Sequence, residues 1–163
     1  MGASNRITVN IDGRRNIAQR ILGAFFRSWD RRLDDALDEG AVVAAHDVMD
    51  TWKRKAVDVA PLDKGHLRRS IKVDTEKDGD NVTGTISASV IETHGARKRD
   101  YAAYLHDEYP VKHGDRFRHP TTPGTIPRFI DEPLERYGAD WAAQMEDDIK
   151  AELRRRGFRI GRR

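Results

Sequence analysis

Residues 60–71 read Ala60-Pro61-Leu62-Asp63-Lys64-Gly65-His66-Leu67-Arg68-Arg69-Ser70-Ile71, and this stretch divides the chain. A helical pattern precedes it and the first clear strand pattern follows it. Pro61 has no N–H and disfavours helical geometry at Ala60, so the preceding helix is expected to stop there. Asp63 and Gly65 are turn formers, and Gly65 is free to take a positive φ. Leu67 and Ile71 are apolar anchors that can pin the turn to a core. By itself the stretch reads as a helix-to-strand connection in which Pro61, Asp63, Gly65 and Leu67 have structural roles.

Upstream, Ile17, Ile21, Phe25, Trp29, Leu33, Leu37 and Ala41 fall four apart, and Ala44, Val48, Trp52, Ala56 and Val59 continue the stripe. This is helical spacing. An unbroken helix of that length would reach ~60 Å. A break is therefore expected, either near Ser28 as an N-cap or at Gly40, where glycine costs ~1 kcal/mol relative to alanine. The stripe reads as core or subunit packing, since no strict heptad with interhelical charge pairs marks a coiled coil. Before it, Arg6-Ile7-Thr8-Val9-Asn10-Ile11 alternates as a strand does, and Asp12-Gly13 marks a turn.

Downstream, residues 70–74 alternate again, Asp78-Gly79-Asp80-Asn81 is a cluster of turn formers, and residues 82–90 are rich in β-branched side chains. Together they predict an antiparallel hairpin. Residues 93–100 are polar and are expected to be loop. Tyr101-Ala102-Ala103-Tyr104-Leu105 is a short apolar element whose aromatic pair at i, i+3 favours a helical turn. Residues 109–128 hold Pro110, Pro120, Pro123 and Pro127 with Gly114 and Gly124, which predicts a long irregular loop of the kind that usually serves function. Ile130, Leu134, Tyr137, Trp141, Met145, Ile149 and Leu153 then form a helical stripe, with Pro133 placed for the first turn. The fold class is α+β: a small antiparallel sheet packed by a long N-terminal helical segment and a C-terminal helix.

The 163 residues suit one domain with a modest core, and the charged fraction, 35%, is high. Cysteine is absent, so no disulfide or thiolate metal site can form, and a reducing compartment is expected. Residues 1–10 have no apolar signal core, and the apolar run from Ala41 to Ala45 is far short of a membrane span, so a soluble protein is expected. The net charge of +3 is unevenly placed. Residues 154–163 contain six arginines and no acid, which leaves 24 basic against 27 acidic residues in the rest of the chain. A mildly acidic body with a strongly basic terminus points to a segment that meets an acidic partner.

Candidate chemistry is sparse. His94, His106, His113 and His119 share one region with Asp100, Asp107, Glu108 and Asp115, which raises a metal site or a metal-dependent hydrolase as one reading. The spacing from His106 to His113 to His119 follows no ligand rule, so a solvated loop is the expectation. There is no phosphate-binding P-loop and no Gly-x-Ser-x-Gly elbow. Asp147 and Asp148 read as the wet face of the last helix. The arginine run and Arg97-Lys98-Arg99 raise a nucleic-acid-binding regulator as a second reading, without helix-turn-helix spacing to support it.

The order of residues 60–71 resembles the Ala-Pro-x-Asp-x-Gly-x-Leu-Arg-x-Ser-Ile signature of the tail-completion, or head–tail joining, proteins of long-tailed bacteriophages. Lys64 stands where threonine is usual. Members of that family begin with a short strand ending in glycine and a long helical stretch, here Ile7 to Gly13 and Ile17 to Val59. They continue with a hairpin and a Tyr-Ala-x-Tyr-hydrophobic-Glu-x-Gly motif. Tyr101-Ala102-Ala103-Tyr104-Leu105 is similar to its first half, while His106 replaces the glutamate and Glu108-Tyr109 the glycine end. Ile126-Pro127-Arg128-Phe129-Ile130 resembles the Pro-x-Phe segment that opens the last helix.

The resemblance spans nearly the whole chain. It implies one domain over residues 1–153 with a basic tail over 154–163. It also implies a structural virion protein, with neither catalytic role nor cofactor. Such proteins form a ring, commonly of six copies, at the head–tail junction, with double-stranded genomic DNA passing through the channel. Expected partners are further copies of the chain and the neighbouring head-completion and tail-tube proteins, with no membrane. Assembly would take place in the host cytoplasm. The residues expected at assembly interfaces are Tyr101, Tyr104, Pro127, Phe129, Arg154, Arg155, Arg156, Phe158, Arg159, Ile160, Arg162 and Arg163. The loop from Glu108 to Arg128 and the tail are expected to order on assembly.

Overall fold

In the computed structural model, which describes residues 6–11, 31–78 and 81–159, the elements follow in this order: β1 (Arg6–Ile11), α1 (Arg31–Val59), α2 (His66–Ser70), β2 (Lys72–Asp78), β3 (Asn81–Ser87), β4 (Ile91–His94), β5 (Arg97–Asp100), α3 (Tyr101–Ala103), a π turn (Tyr104–Glu108), α4 (Tyr109–His113) and α5 (Asp131–Arg155). The fold is α+β, as the alternation of patterns predicts. The upstream stripe from Ile17 to Trp29, the Ser28 break, the Asp12-Gly13 turn and the tail residues Ile160, Arg162 and Arg163 lie outside the described residues.

From Leu37 onward the stripe of α1 faces inward, and Leu37, Ala41, Ala44, Val48, Trp52 and Ala56 are buried. The break expected at Gly40 does not occur, since α1 runs through it. Packing explains the difference. Gly40 is buried against α5, and a Cβ there would meet Glu152 Cγ at 3.5 Å and the backbone of Ile149 at 3.8 Å, ordinary contact distances; the packing of α1 on α5 carries the helix through it. The helix therefore tolerates a residue whose propensity alone would disfavour it. On α5 the predicted positions Trp141, Met145, Ile149 and Leu153 are all buried. Trp52 and Trp141 meet between the helices with ring centroids 6.4 Å apart, and the indole N–H of Trp52 donates to the carbonyl of Ile130 at 2.8 Å. Among the described residues, no helix is long and apolar enough to cross a membrane.

The predicted hairpin is β2–β3, and β1 joins the far side of β3, giving the antiparallel order β1-β3-β2. The register sets Ile86 between Ile7 and Val73. Val82, Ile86 and Ala88 are buried on the face toward the helices. The opposite face is polar: Lys72 pairs with Ser87, Asp74 with Thr85 and Glu76 with Thr83.

Residues 93–100, expected as loop, instead contribute to a second antiparallel ribbon, β4–β5, turned by Gly95-Ala96. Its polar composition disguised it. Both of its faces are largely wet, so no apolar alternation is needed, and the register matches Glu92 with Arg99 across the strands. The proline-rich segment is likewise not irregular throughout. Its first five residues form α4, with Pro110 in the first turn, where its missing N–H costs nothing.

Candidate functional site

The turn after α1 is built from the signature residues. The helix ends at Val59, one residue before the Ala60-Pro61 pair. Gly65 has φ 75 and leads directly into α2, the left-handed geometry that glycine adopts without penalty. The exposed carbonyls at the end of α1 are satisfied from two directions. Arg68 donates through Nε to the Ala60 carbonyl at 2.9 Å and through a terminal nitrogen to that of Asp58 at 3.3 Å. The Ile126 N–H reaches the Val59 carbonyl at 2.9 Å. A guanidinium at a helix C-terminus also complements the helix dipole. Leu67 and Ile71 are buried, as expected of anchors. The role of Arg68 is one that the sequence pattern leaves unassigned; the signal for it was a basic residue a short turn beyond a helix stop.

The tyrosine motif sits where the second ribbon meets α3. Asp100 accepts hydrogen bonds from Ser89 Oγ at 2.7 Å and from the N–H groups of Val90, Ala102 and Ala103 at 3.0, 2.9 and 3.4 Å. It thereby fastens the ribbon to the helix it caps. An aspartate just ahead of a helical turn is a readable N-cap signal. We expect Asp100→Ala to cost about 1–2 kcal/mol, checked by chemical denaturation; an unchanged midpoint would contradict this junction. Arg99 stacks over Tyr104 at 3.6 Å from the ring centroid and pairs with Glu108 at 2.8 Å, and Lys112 also reaches Glu108 at 2.6 Å. These two cations hold the Glu108 carboxyl below the usual carboxylate range, the Lys112 hydrogen bond contributing most. Tyr101 is half-buried, and burial first, then Glu92 and Asp63, push its hydroxyl up.

Pro127 and Phe129, expected to face a neighbour, are fully buried within the subunit. Residues 125–130 lie over the end of α1, and the Phe129 ring packs edge-on to His106 with centroids 5.4 Å apart. Their part is to clamp the loop to the core, so contact surface must come from the exposed residues around them. The arginine run opens inside α5, with Arg154 and Arg155 in its last turn. Gly157, at φ 89, then ends the helix. Its N–H donates to the Arg154 carbonyl and the Phe158 N–H to that of Leu153, a Schellman cap whose apolar lock is Phe158 packed against the core.

Two of the arginines are already engaged within the subunit. Arg155 and Arg156 both bind Glu152, at 2.7 Å each, and Arg156 also binds Glu39. Hydrogen bonds from Arg155, then Arg156, lower the Glu152 carboxyl to about 2. A depressed folded-state value stabilises above the ordinary glutamate range and is lost as pH falls toward the folded value. We therefore expect the Glu152 carboxyl carbon to titrate near pH 2 by NMR, with amide exchange at 153–158 rising only below about pH 4. An ordinary midpoint would contradict the pairing.

His106, His113 and His119 do not converge. His113 and His119 are exposed, while His106 is buried, with Nδ1 2.7 Å from Asp107 and Nε2 3.5 Å from Asp131. Among the described residues, no three histidine, aspartate or glutamate side chains are grouped to hold a metal ion.

Residues 19–107 match a family model described as "Bacteriophage HK97-gp10, putative tail-component". No curated protein and no solved structure matches the chain. The matched span exceeds half of the 163 residues. It takes in α1, the Pro61–Ile71 turn, the β2–β3 hairpin and the tyrosine motif at 101–105, while the first strand and the segment 126–130, which also carry the resemblance in sequence, lie outside it. The chain belongs to the HK97-gp10-like family of bacteriophage tail components.

Proposed function

We propose that the protein is a structural virion component that closes into a ring at the junction of head and tail, commonly as a hexamer, with double-stranded DNA passing through its channel. The observation that carries this reading is the family match across α1, the signature turn and the β2–β3 hairpin. The charge balance supports it. The acidic balance of residues 1–153 suits a conduit that must not grip the DNA passing through it.

The neighbours would be copies of this chain, a head-completion protein and the tail tube, assembled in the host cytoplasm. Tyr101 and Tyr104 present their exposed portions near the second ribbon, and Arg154 and Arg159 extend from the end of α5, with Ile160, Arg162 and Arg163 beyond. The regulator reading draws less support, because Arg99, Arg155 and Arg156 are each paired with a carboxylate of the same subunit. Quantitative mass spectrometry of purified particles tests the proposal. A small fixed copy number per particle is expected; absence, or abundance equal to the major capsid protein, would overturn it.

A further inference from the structure

The outer face of the three-stranded sheet is polar, and its charges are segregated along β2. At one end lies an open cleft of about 510 Å³, lined by His66, Arg69, Ser70, Lys72, Ser87, Ser89 and Val90. It holds two permanent cations, a histidine and three hydroxyls, and no acid. Arg69 is steadied by donating to the Lys64 carbonyl at 3.1 Å, which leaves other guanidinium N–H groups to bind an oxyanion. At the other end of the strand, Asp74, Glu76 and Asp78 are exposed on the same polar face. Among the described residues, none of the three carboxylates and neither of the cations Arg69 and Lys72 makes an ion pair within the subunit.

Asp74 lies only two residues from Lys72, about 7 Å along the strand, but the far end of the strand cannot be neutralised from the cleft. From Lys72 to Asp78 the strand extends about 20 Å, well beyond the ~8 Å screening length at physiological salt. A nucleic acid is a poor occupant, because a duplex seated in the cleft would also meet the three carboxylates. Further copies of the chain fit the two ends, one neighbour at the cationic end and another at the acidic end. A head-to-tail contact needs two different, complementary patches on each subunit, and such contacts close into rings.

We propose that this sheet face is a contact between copies of the chain, with Asp74, Glu76 and Asp78 of one copy seated against Arg69 and Lys72 of the next. The inference rests on the ring reading and names the surface that would build it. The Ser87 hydroxyl lies beside the cations and adds a donor for the incoming carboxylates, whereas Ser89 already donates to Asp100. Charge matching of this kind sets register and rejects wrong orientations.

Sedimentation velocity on the full chain, over a range of concentration and salt, tests it with two charge-reversed variants, R69E/K72E and D74K/E76K/D78K. All five positions are exposed, so the fold should survive. The wild type is expected to self-associate, and each variant to do so at least about tenfold more weakly. Mixing the two should restore association, because each then offers the patch the other needs, and this rescue also shows that both are folded. Variants that associate like the wild type, or a mixture without rescue, would overturn the face while leaving the ring reading intact. A wild type that never associates would also overturn the face, and the ring would then be judged by the symmetry of the particle. Loss of duplex DNA binding in R69E/K72E with unchanged association would assign the cleft to nucleic acid and overturn the proposal.

Discussion

Trp52→Ala is expected to destabilise the subunit by about 3–5 kcal/mol, a fall in Tm of roughly 6–20 °C for a chain of this size. Three losses combine. The side chain is 1% exposed, so truncation leaves a large cavity between α1 and α5. Its ring contact with Trp141 disappears. The Ile130 carbonyl, which accepts the indole N–H at 2.8 Å, loses that second donor and keeps only the first backbone bond of α5. That carbonyl sits at the entry to α5, so the effect should reach the loop before it. Amide exchange at 125–130 is expected to accelerate along with that of α1. A Tm within 3 °C of the wild type would contradict the placement of Trp52 as the pin between the helices.

Gly65→Val is expected to cost about 1–3 kcal/mol. At φ 75 a β-branched residue is strained whatever the surrounding space. A Cβ there would also come within 2.8 Å of the Arg69 guanidinium, which would have to swing away and give up its bond to Lys64. Gly65→Asn is the control, because asparagine tolerates the left-handed region better, and it should cost clearly less. Equal stability of the valine variant and the wild type by urea denaturation would remove the argument that the signature glycine serves the backbone.

These two positions also mark how far the sequence could be read. Stripe periodicity located Trp52, and the proline–glycine pair located the turn, because both signals are local. The burial of Leu37 through Ala56 on α1 and of Trp141 through Leu153 on α5 followed from spacing alone. Gly40 misled because propensity is a weak local signal: the packing of α1 against α5 around Ile149 and Glu152 outweighs the cost of one glycine. The β4–β5 ribbon was hidden because strands wet on both faces carry no alternation. Pro127 and Phe129 were assigned to a neighbour because their motif opens the last helix, whereas the contact that anchors their segment to the end of α1, from Ile126 to Val59, spans 67 residues of sequence. The arginine run read as a free tail since composition shows charge but not partners. Glu39, which Arg156 binds, lies 117 residues away. A truncation at residue 154 would therefore remove the helix cap at Gly157-Phe158 as well as the charge, and a cut after Arg159 is the cleaner way to probe the last residues.

Imaging purified particles with this protein labelled tests the central claim most directly. The proposed function predicts a closed ring of density around the axial channel where head meets tail, with rotational symmetry and copies in register. A single copy at that position, or labelled density without rotational symmetry, would contradict it.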